Sequence, residues 1–452
     1  MTTATRPIPG PAREYHFPRF SAQRLDNGIT VIISTVTKLP LVSVAIVIDA
    51  TALMDAPGQE GAAELTAQAL REGTASRSGV QLALDLEKLG TSLETGADWD
   101  STVASLTVLK RNLDEAFRIF AETLLSPAFR EDDVERLKAE RLAERMQLLD
   151  EPRGLADESF SRFLYQQGSR YAEPVSGTSR TVTAISNHDV RGFYRQNYLP
   201  DAATVIFAGD ITVDEAVRLV QSTLGSWTGQ RVARVASADR PVRTTRAVEI
   251  VSKPDAAQSE LRIGHVGVPR THPDYFHIVV MNAVLGGLFS SRINLNLREK
   301  HGYTYGASSY YDWRRQSGPF VISTAVQSEV TAAAISETLA EIGAMREKKI
   351  GEDELTLATS YLEGVFPIRY ETTSAIAGAL ANMVTFGLPA DYFDTYRANI
   401  AAVTTADVLA AANAHVRPDE LQVVVVGNPE VIQQSVEELS IGPITIREAT
   451  EQ

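Results

Sequence analysis

The chain has 452 residues, with 43 Lys+Arg against 57 Asp+Glu, a net charge of −14 at pH 7, and no cysteine. The missing cysteine excludes disulfides, thiolate nucleophiles, iron–sulfur clusters and cysteine-based zinc sites. The acidic balance argues against broad nucleic-acid binding, which needs a basic face to displace counterions. With 44% apolar and 22% charged residues the chain can bury a sizeable core. Length alone points to about three domains at ~150 residues each, a prior that repeats override. No uninterrupted apolar run approaches the ~18–20 residues that span a bilayer, so no membrane span is expected. Residues 1–20 are polar, with Pro7, Pro9, Pro11 and Pro18 and no apolar h-region. They read as an N-terminal extension rather than a signal peptide. The expected compartment is the cytoplasm, or the periplasm where a leader has been removed.

In chain order, Gly28–Ile33 and Val42–Ile48 are β-branched runs bounded by turn residues, the pattern of strands. A helix follows from Gly61 to Arg71, with Ala62, Leu65, Ala69 and Leu70 at the spacing of one buried face, stopped by Gly73. A second helix, Val80–Leu89, stops at Gly90. Strands are expected over Leu93–Ala97 and Val103–Leu109, and helices over Leu113–Leu125 and Asp132–Asp150. The block closes with a buried-type strand, Ala203–Asp210, and a helix, Val213–Leu224.

The same order then recurs. Leu261–Val266 reads as a strand, Tyr275–Leu285 and Ser291–Lys300 as helices, the latter stopped by Gly302. Strands Thr304–Tyr311 and Phe320–Val326, helices Ala332–Lys348 and Asp353–Val365, and the strand Leu421–Asn428 complete it. Leu86-Glu87-Lys88-Leu89-Gly90 is echoed by Arg298-Glu299-Lys300-His301-Gly302, and Phe207-Ala208-Gly209-Asp210 by Val425-Val426-Gly427-Asn428. A long-period duplication of this kind implies an α/β (α+β) fold of two homologous halves, each a mixed sheet packed against helices. The divisions are residues 21–228 and 249–446, joined by an arginine-rich linker over 229–248. The linker reads as solvated; contact with an acidic partner is the alternative.

Residues Gly61 to Thr74 resemble the zinc helix of the pitrilysin/insulinase peptidase family, which includes the mitochondrial processing peptidase. That helix carries His-x-x-Glu-His: two histidines four apart bind zinc and the glutamate is general base to the metal-bound water. A third ligand, a glutamate, lies some 76 residues further on. Anchored on Gly73-Thr74, the resemblance places the first histidine at Glu64, the base at Ala67, the second histidine at Gln68 and the third ligand at Glu144. Ala67 has no proton-accepting group, and the Gln68 amide is a poor zinc ligand. The seven histidines, at 16, 188, 265, 272, 277, 301 and 415, include no pair three or four apart, so no helical histidine pair exists. Glu64 and Glu144 either bind a hard cation or are two solvated carboxylates, the simpler reading. Glu151-Pro152 and Gly177-Thr178 stand where the family carries Asn-Pro and Gly-Thr. Glu94-Thr95 stands where it carries Asn-Ala on its substrate-pairing edge strand, which puts β-augmentation on this half in doubt.

Residues Leu285 to Arg292 and Leu297 to Tyr305 match the family's second-half signature. There the resemblance implies that an arginine and a tyrosine seven apart, here Arg298 and Tyr305, complete the zinc site from across the chamber. The arginine offers a planar charged donor, the tyrosine hydroxyl an oxyanion donor. The alternatives are an arginine that satisfies its helix end and a tyrosine that covers a strand face. Gly286-Gly287 reads as a tight turn rather than a phosphate loop. Tyr310, Tyr311 and Trp313 either line a peptide chamber or pack a hairpin. The resemblance thus implies a clam-shell metallopeptidase-like fold and a non-catalytic, zinc-less subunit of a heterodimeric zinc metallopeptidase. Such a subunit is inactive alone, binds no metal itself, and adds Arg298 and Tyr305 to peptide binding at a homologous partner that holds the zinc. A structural core subunit and a peptide-binding module are the alternatives.

Overall fold

The computed structural model describes residues 14–230 and 241–449. Its frame is two six-stranded sheets. The first holds β1 (Ser21–Arg24), β2 (Thr30–Thr35), β3 (Leu41–Ile48), β4 (Glu94–Ala97), β5 (Thr102–Leu109) and β6 (Ala203–Gly209), in the order β1-β2-β6-β3-β5-β4. The second holds β7 (Ala247–Ser252), β8 (Gln258–Val266), β9 (Ala307–Tyr311), β10 (Pro319–Gln327), β11 (Gln422–Gly427) and β12 (Ile444–Glu448), in the order β12-β7-β11-β8-β10-β9. Five strands of each sheet correspond one to one. In both, the first and last of the five in sequence pair in parallel (β2 with β6, β7 with β11), and the remaining neighbours are antiparallel. The sixth strand differs: β1 precedes its sheet and pairs antiparallel, while β12 ends the chain and pairs parallel.

Side-chain pattern follows position in the sheet. β3 lies between β6 and β5, is covered on both faces, and is buried from Val42 to Ile48, apolar throughout except for Ser43. β5 alternates buried and half-buried residues along its length, as a strand with one covered face does.

The covering helices are exchanged between the halves. The helix Pro152–Leu164 follows the first half's long helix Glu131–Asp150, yet packs on β11, β8 and β7 of the second sheet. Leu155, Phe160 and Phe163 share one core with Val251, Val266, Val321 and Val424. In return, Thr373–Phe386 of the second half packs on β3 and β6 of the first sheet. Its Ile376 and Leu380 share a core with Ala45, Val47 and Ile206. At its start the Thr373 hydroxyl lies 2.8 Å from Ser43 Oγ on β3. Neither exchanged helix is among the elements expected from sequence. The expected mixed sheets packed against helices are present, and through these two helices the halves complete each other's cores.

The span read as extension is described from residue 14, where it straps onto the second half: Phe17 stacks on Phe393 at 4.1 Å and Tyr15 meets Phe366 edge-on. Of the span read as linker, residues 231–240 lie outside the described residues, and β7 already begins at Ala247. Between them Val242 N–H donates to Leu164 O at 2.8 Å and the Arg243 guanidinium lies over Phe163 at 4.0 Å. One helical run, Tyr275–Lys300, meets the length and composition of a membrane span, but 56% of its apolar window is buried. Ile278, Val280, Met281 and Leu285 sit in the second-half core, which makes it a core helix.

Candidate functional site

The helix that resembles a zinc helix spans Ala62–Ala69 and is held at its start by a buried carboxylate. Asp55 accepts from Gly61 N–H at 2.9 Å and Ala63 N–H at 2.8 Å, and Arg170 Nη2 donates to it at 2.9 Å. These contacts satisfy donors that a helix start leaves open. One turn on, Glu64 and Gln68 share a face, and Gln68 Nε2 donates to Glu64 Oε1 at 3.0 Å. Ala67 is buried.

Glu64 is not solvated, against the simpler sequence reading. Its Oε2 accepts from the Ala97 N–H of edge strand β4 at 2.7 Å, and its Oε1 lies 3.5 Å from Arg141 Nη2. Burial pushes the Glu64 carboxyl above the usual carboxylate range, against the pull of the Ala97 N–H and the Arg141 guanidinium. The same guanidinium reaches Glu144 through Nη1 at 3.2 Å. Glu144 itself is exposed, as expected. One cation therefore joins the positions that correspond to the first and third ligands, and supplies the charge a metal would supply.

The fold family implies zinc here, and these residues do not fit it. No imidazole faces the place, Glu64 already uses both oxygens, and a fixed positive charge lies between the two carboxylates. Nothing at Ala67 can take a proton. A zinc-dependent hydrolytic step has neither the ligands nor the base at these positions.

Arg298 and Tyr305 lie in the second half. Arg298 is on the helical stretch Leu295–Lys300, with its guanidinium 4.6 Å from the Phe289 ring centroid and its Nε 3.6 Å from Glu299 Oε1. Its Nη1 is buried and has no hydrogen-bond partner among the described residues. The side chain stacks on an aromatic face rather than capping its helix end. Tyr305 follows the positive-φ turn at Gly302, precedes β9, and is 93% exposed, so it does not cover a strand face. β9 is shorter than the strand expected over Thr304–Tyr311, because Thr304 Oγ1 accepts from Gly306 N–H and fixes a turn there.

The other sequence features resolve into packing. Tyr311 is buried and its hydroxyl donates to His415 O at 3.2 Å, with Trp313 stacked on it. Tyr310 remains 42% exposed. Gly286 lets the helix lie against β9, where a Cβ would stand 2.6 Å from Ser309 N. Glu94 and Thr95 begin β4, and of that edge Ala97 N–H is already taken by Glu64.

One constellation escaped the sequence reading. His272, Asp274 and His415 bring three ligand atoms within 4.8 Å of one another. The histidines are 143 positions apart in sequence (415 − 272), so no local spacing could have signalled them. His415 Nε2 is 2.7 Å from Asp274 Oδ2, and His277 Nδ1 is 3.7 Å from Asp274 Oδ1.

Duplicated mixed sheets, an Ala62–Ala69 helix at the zinc-helix position and a retained Arg/Tyr signature define a protein built on the insulinase peptidase plan. Comparison with known proteins agrees. The family model described as "Insulinase (Peptidase family M16)" matches residues 30–178, and that described as "Peptidase M16 inactive domain" matches residues 184–362. The chain belongs to the pitrilysin/insulinase family. It is 25% identical over 394 residues to a Streptomyces coelicolor protein named as an uncharacterized zinc protease, covering 86% of this chain and 85% of that one. It is 24% identical over 375 residues to a Helicobacter pylori protein named non-peptidase homolog YmxG, covering 82% and 85%. The fold matches a Pseudomonas fluorescens structure titled as a peptidase M16 inactive domain, with TM-score 0.85, 24% identity and coverage of 91% and 98%. It also matches a Helicobacter pylori protease structure, with TM-score 0.83, 18% identity and coverage of 90% and 99%.

Proposed function

We propose that this chain is the non-catalytic subunit of a heterodimeric zinc metallopeptidase, zinc-less at the degenerate motif of its first half. In this reading Arg298 and Tyr305 complete the active site of a homologous partner that keeps His-x-x-Glu-His and the zinc, and the substrate is an unfolded peptide. A matching family model described as an inactive domain and a relative named a non-peptidase homolog support the absence of catalysis in cis. The observation that carries the rest is an asymmetry. Glu64, Arg141 and Glu144 satisfy one another, whereas Arg298 keeps a buried N–H without a partner and Tyr305 stands in solvent. A buried guanidinium donor left open is costly unless something completes it. A substrate carbonyl or carboxylate suits its planar fork, and the Tyr305 hydroxyl can donate to the oxyanion that forms during hydrolysis.

The test is reconstitution with a homologous subunit that carries the intact motif, assayed on a fluorogenic peptide. Arg298→Ala and Tyr305→Phe should each lower kcat by about 10²–10³-fold, the size of losing one oxyanion donor, with heterodimer affinity unchanged. The isolated chain should not hydrolyse peptide. Unchanged turnover in both variants would instead favour a scaffold subunit. One observation points that way: Glu64 occupies the Ala97 N–H, which removes a donor an extended peptide would need on β4.

A further inference from the structure

We propose that His272, Asp274 and His415 form a zinc-type metal site in the second half, unrelated to the degenerate site on the Ala62–Ala69 helix. His272 and Asp274 lie in the turn after β8, and Asp274 leads directly into the helix Tyr275–Asn282. His415 is the last residue of the helix Thr405–His415, which packs against Tyr275–Asn282. The turn after β8 thus presents two donor groups and the end of one helix a third to a single point.

The donor set selects the metal class. Two imidazoles and one carboxylate suit zinc and its neighbours in the first transition row, while calcium and magnesium prefer all-oxygen sites. His415 is buried and held in place, since its main-chain oxygen accepts from the Tyr311 hydroxyl at 3.2 Å. The His272 and His415 rings stand edge to face, 4.8 Å between centroids and 79° between planes. Asp274 is partly exposed, and its second oxygen faces His277 Nδ1 at 3.7 Å. A fourth position is open to that imidazole or to water.

Binding asks for a small rearrangement. With zinc–nitrogen and zinc–oxygen bonds of about 2.0–2.1 Å, tetrahedral ligand atoms sit roughly 3.3 Å apart. The His415–Asp274 contact of 2.7 Å must open slightly, and the widest separation, at most 4.8 Å, must close. His272 is the residue to move: it is on a loop, and its Nδ1 accepts the Asp274 N–H at 3.1 Å. His415 exchanges its hydrogen bond to the carboxylate for a shared ion. The loop after β8 would then be clipped to the end of Thr405–His415.

The test uses the full chain, stripped with chelator and reloaded with Zn²⁺, with metal counted by mass spectrometry after buffer exchange and affinity read by competition with a chromophoric chelator. Cobalt substitution adds a readout, the visible absorption of a low-symmetry nitrogen/oxygen site. One equivalent of zinc per chain is expected. His272→Ala and Asp274→Asn should each weaken it by about 100-fold or more, since losing a ligand exceeds the 10–100-fold cost of losing an outer-shell partner. His272 is a loop residue, so its variant remains informative should His415→Gln fail to fold. The pair Glu64→Gln/Glu144→Gln should leave uptake unchanged. Sub-stoichiometric uptake by the wild type, uptake insensitive to His272 and Asp274, or uptake lost in the Glu64/Glu144 variant overturns the proposal. Peptide turnover is not the readout, so this site and the proposed subunit role stand or fall separately.

Discussion

The zinc-helix region of the first half and the Arg298 region of the second are built from one duplicated plan, and they treat the charges at their motif positions differently. Around Glu64 the carboxylates are met: both Glu64 oxygens are used and Arg141 joins Glu64 to Glu144, while Thr66 Oγ1, Arg71 Nε and Thr95 Oγ1 nearby have no partner among the described residues. Around Arg298 the groups are left open, with a buried N–H unpaired and Phe289 and Tyr305 at 71% and 93% exposure. A site that has lost its metal must find another charge for its carboxylates or lose stability. A site that acts on a partner must leave its donors unspent. In the proposed subunit role, the difference separates a half whose carboxylates are met within the chain from one that offers donors to a partner.

The sharpest way to break this comparison is to open the closed site. Restoring the motif with Glu64→His, Ala67→Glu and Gln68→His supplies two imidazoles and a base, yet leaves the Arg141 guanidinium beside the metal. A doubly charged ion within several ångströms of a fixed cation is opposed by several kcal/mol even at an effective dielectric near 20. The triple variant should therefore bind zinc weakly, and adding Arg141→Met should tighten binding by about 100-fold or more. Isothermal titration of the two variants decides it. Equal affinities would mean that Arg141 merely lies near the carboxylates.

The next effect is on stability. Arg141 and Glu64 are only 15% and 17% exposed in their side chains, so Arg141→Met in the otherwise native chain leaves a mostly buried carboxylate without its cation. A loss of about 1–3 kcal/mol is expected in urea unfolding, less than a fully buried pair because Glu64 keeps its bonds to Ala97 and Gln68. The sign of the pH dependence is fixed. Glu64 has its folded pKa raised, so what it contributes is full at low pH and is lost as pH rises through that pKa. The variant's deficit should shrink in acid. Combining Arg141→Met with Glu64→Gln should recover part of it at neutral pH.

The sequence displayed these features unevenly. β3, β6 and β11 were legible because a strand covered on both faces must be an apolar run, and glycines or polar turns bounded each. The duplication was legible because it repeats that grammar. The exchange of Pro152–Leu164 and Thr373–Phe386 was not, since an apolar helix face specifies that it needs a sheet without specifying whose. At the site, the loss of the histidine pair was plain from spacing. Arg141 was not: three residues from Glu144 on one helix, it has the pattern of a solvated surface pair, and only the fold brings Glu64 to its other side. The His272–Asp274–His415 group was hidden for the same reason, its members meeting through packed helices.

The smallest effect compares the halves through two buried titratable groups with opposite shifts. Asp100 lies where the halves meet: its Oδ2 accepts from the Arg315 N–H at 3.1 Å, and Arg315 also reaches Asp49 Oδ1 at 2.6 Å. Burial, helped by Asp98 and opposed by Arg315, pushes the Asp100 carboxyl up to about 6. His265, inside the second half on β8, is pushed down to about 3 by burial and by the Arg417 charge. Asp100 thus adds stability that is full below about 4 and lost as pH rises through about 6; His265 adds stability that is full above about 6.5 and lost as pH falls toward about 3. In the wild type the two slopes partly cancel between pH 4 and 6, each worth roughly 1–3 kcal/mol across that window. Asp100→Asn should uncover a chain that becomes more stable as pH rises from 4 to 6, and His265→Gln one that becomes less stable over the same range. Urea midpoints taken at half-unit steps of pH read the slopes directly, without regard to the absolute cost of either substitution. Parallel curves for wild type and Asp100→Asn would show that the seam between the halves carries no titrating charge.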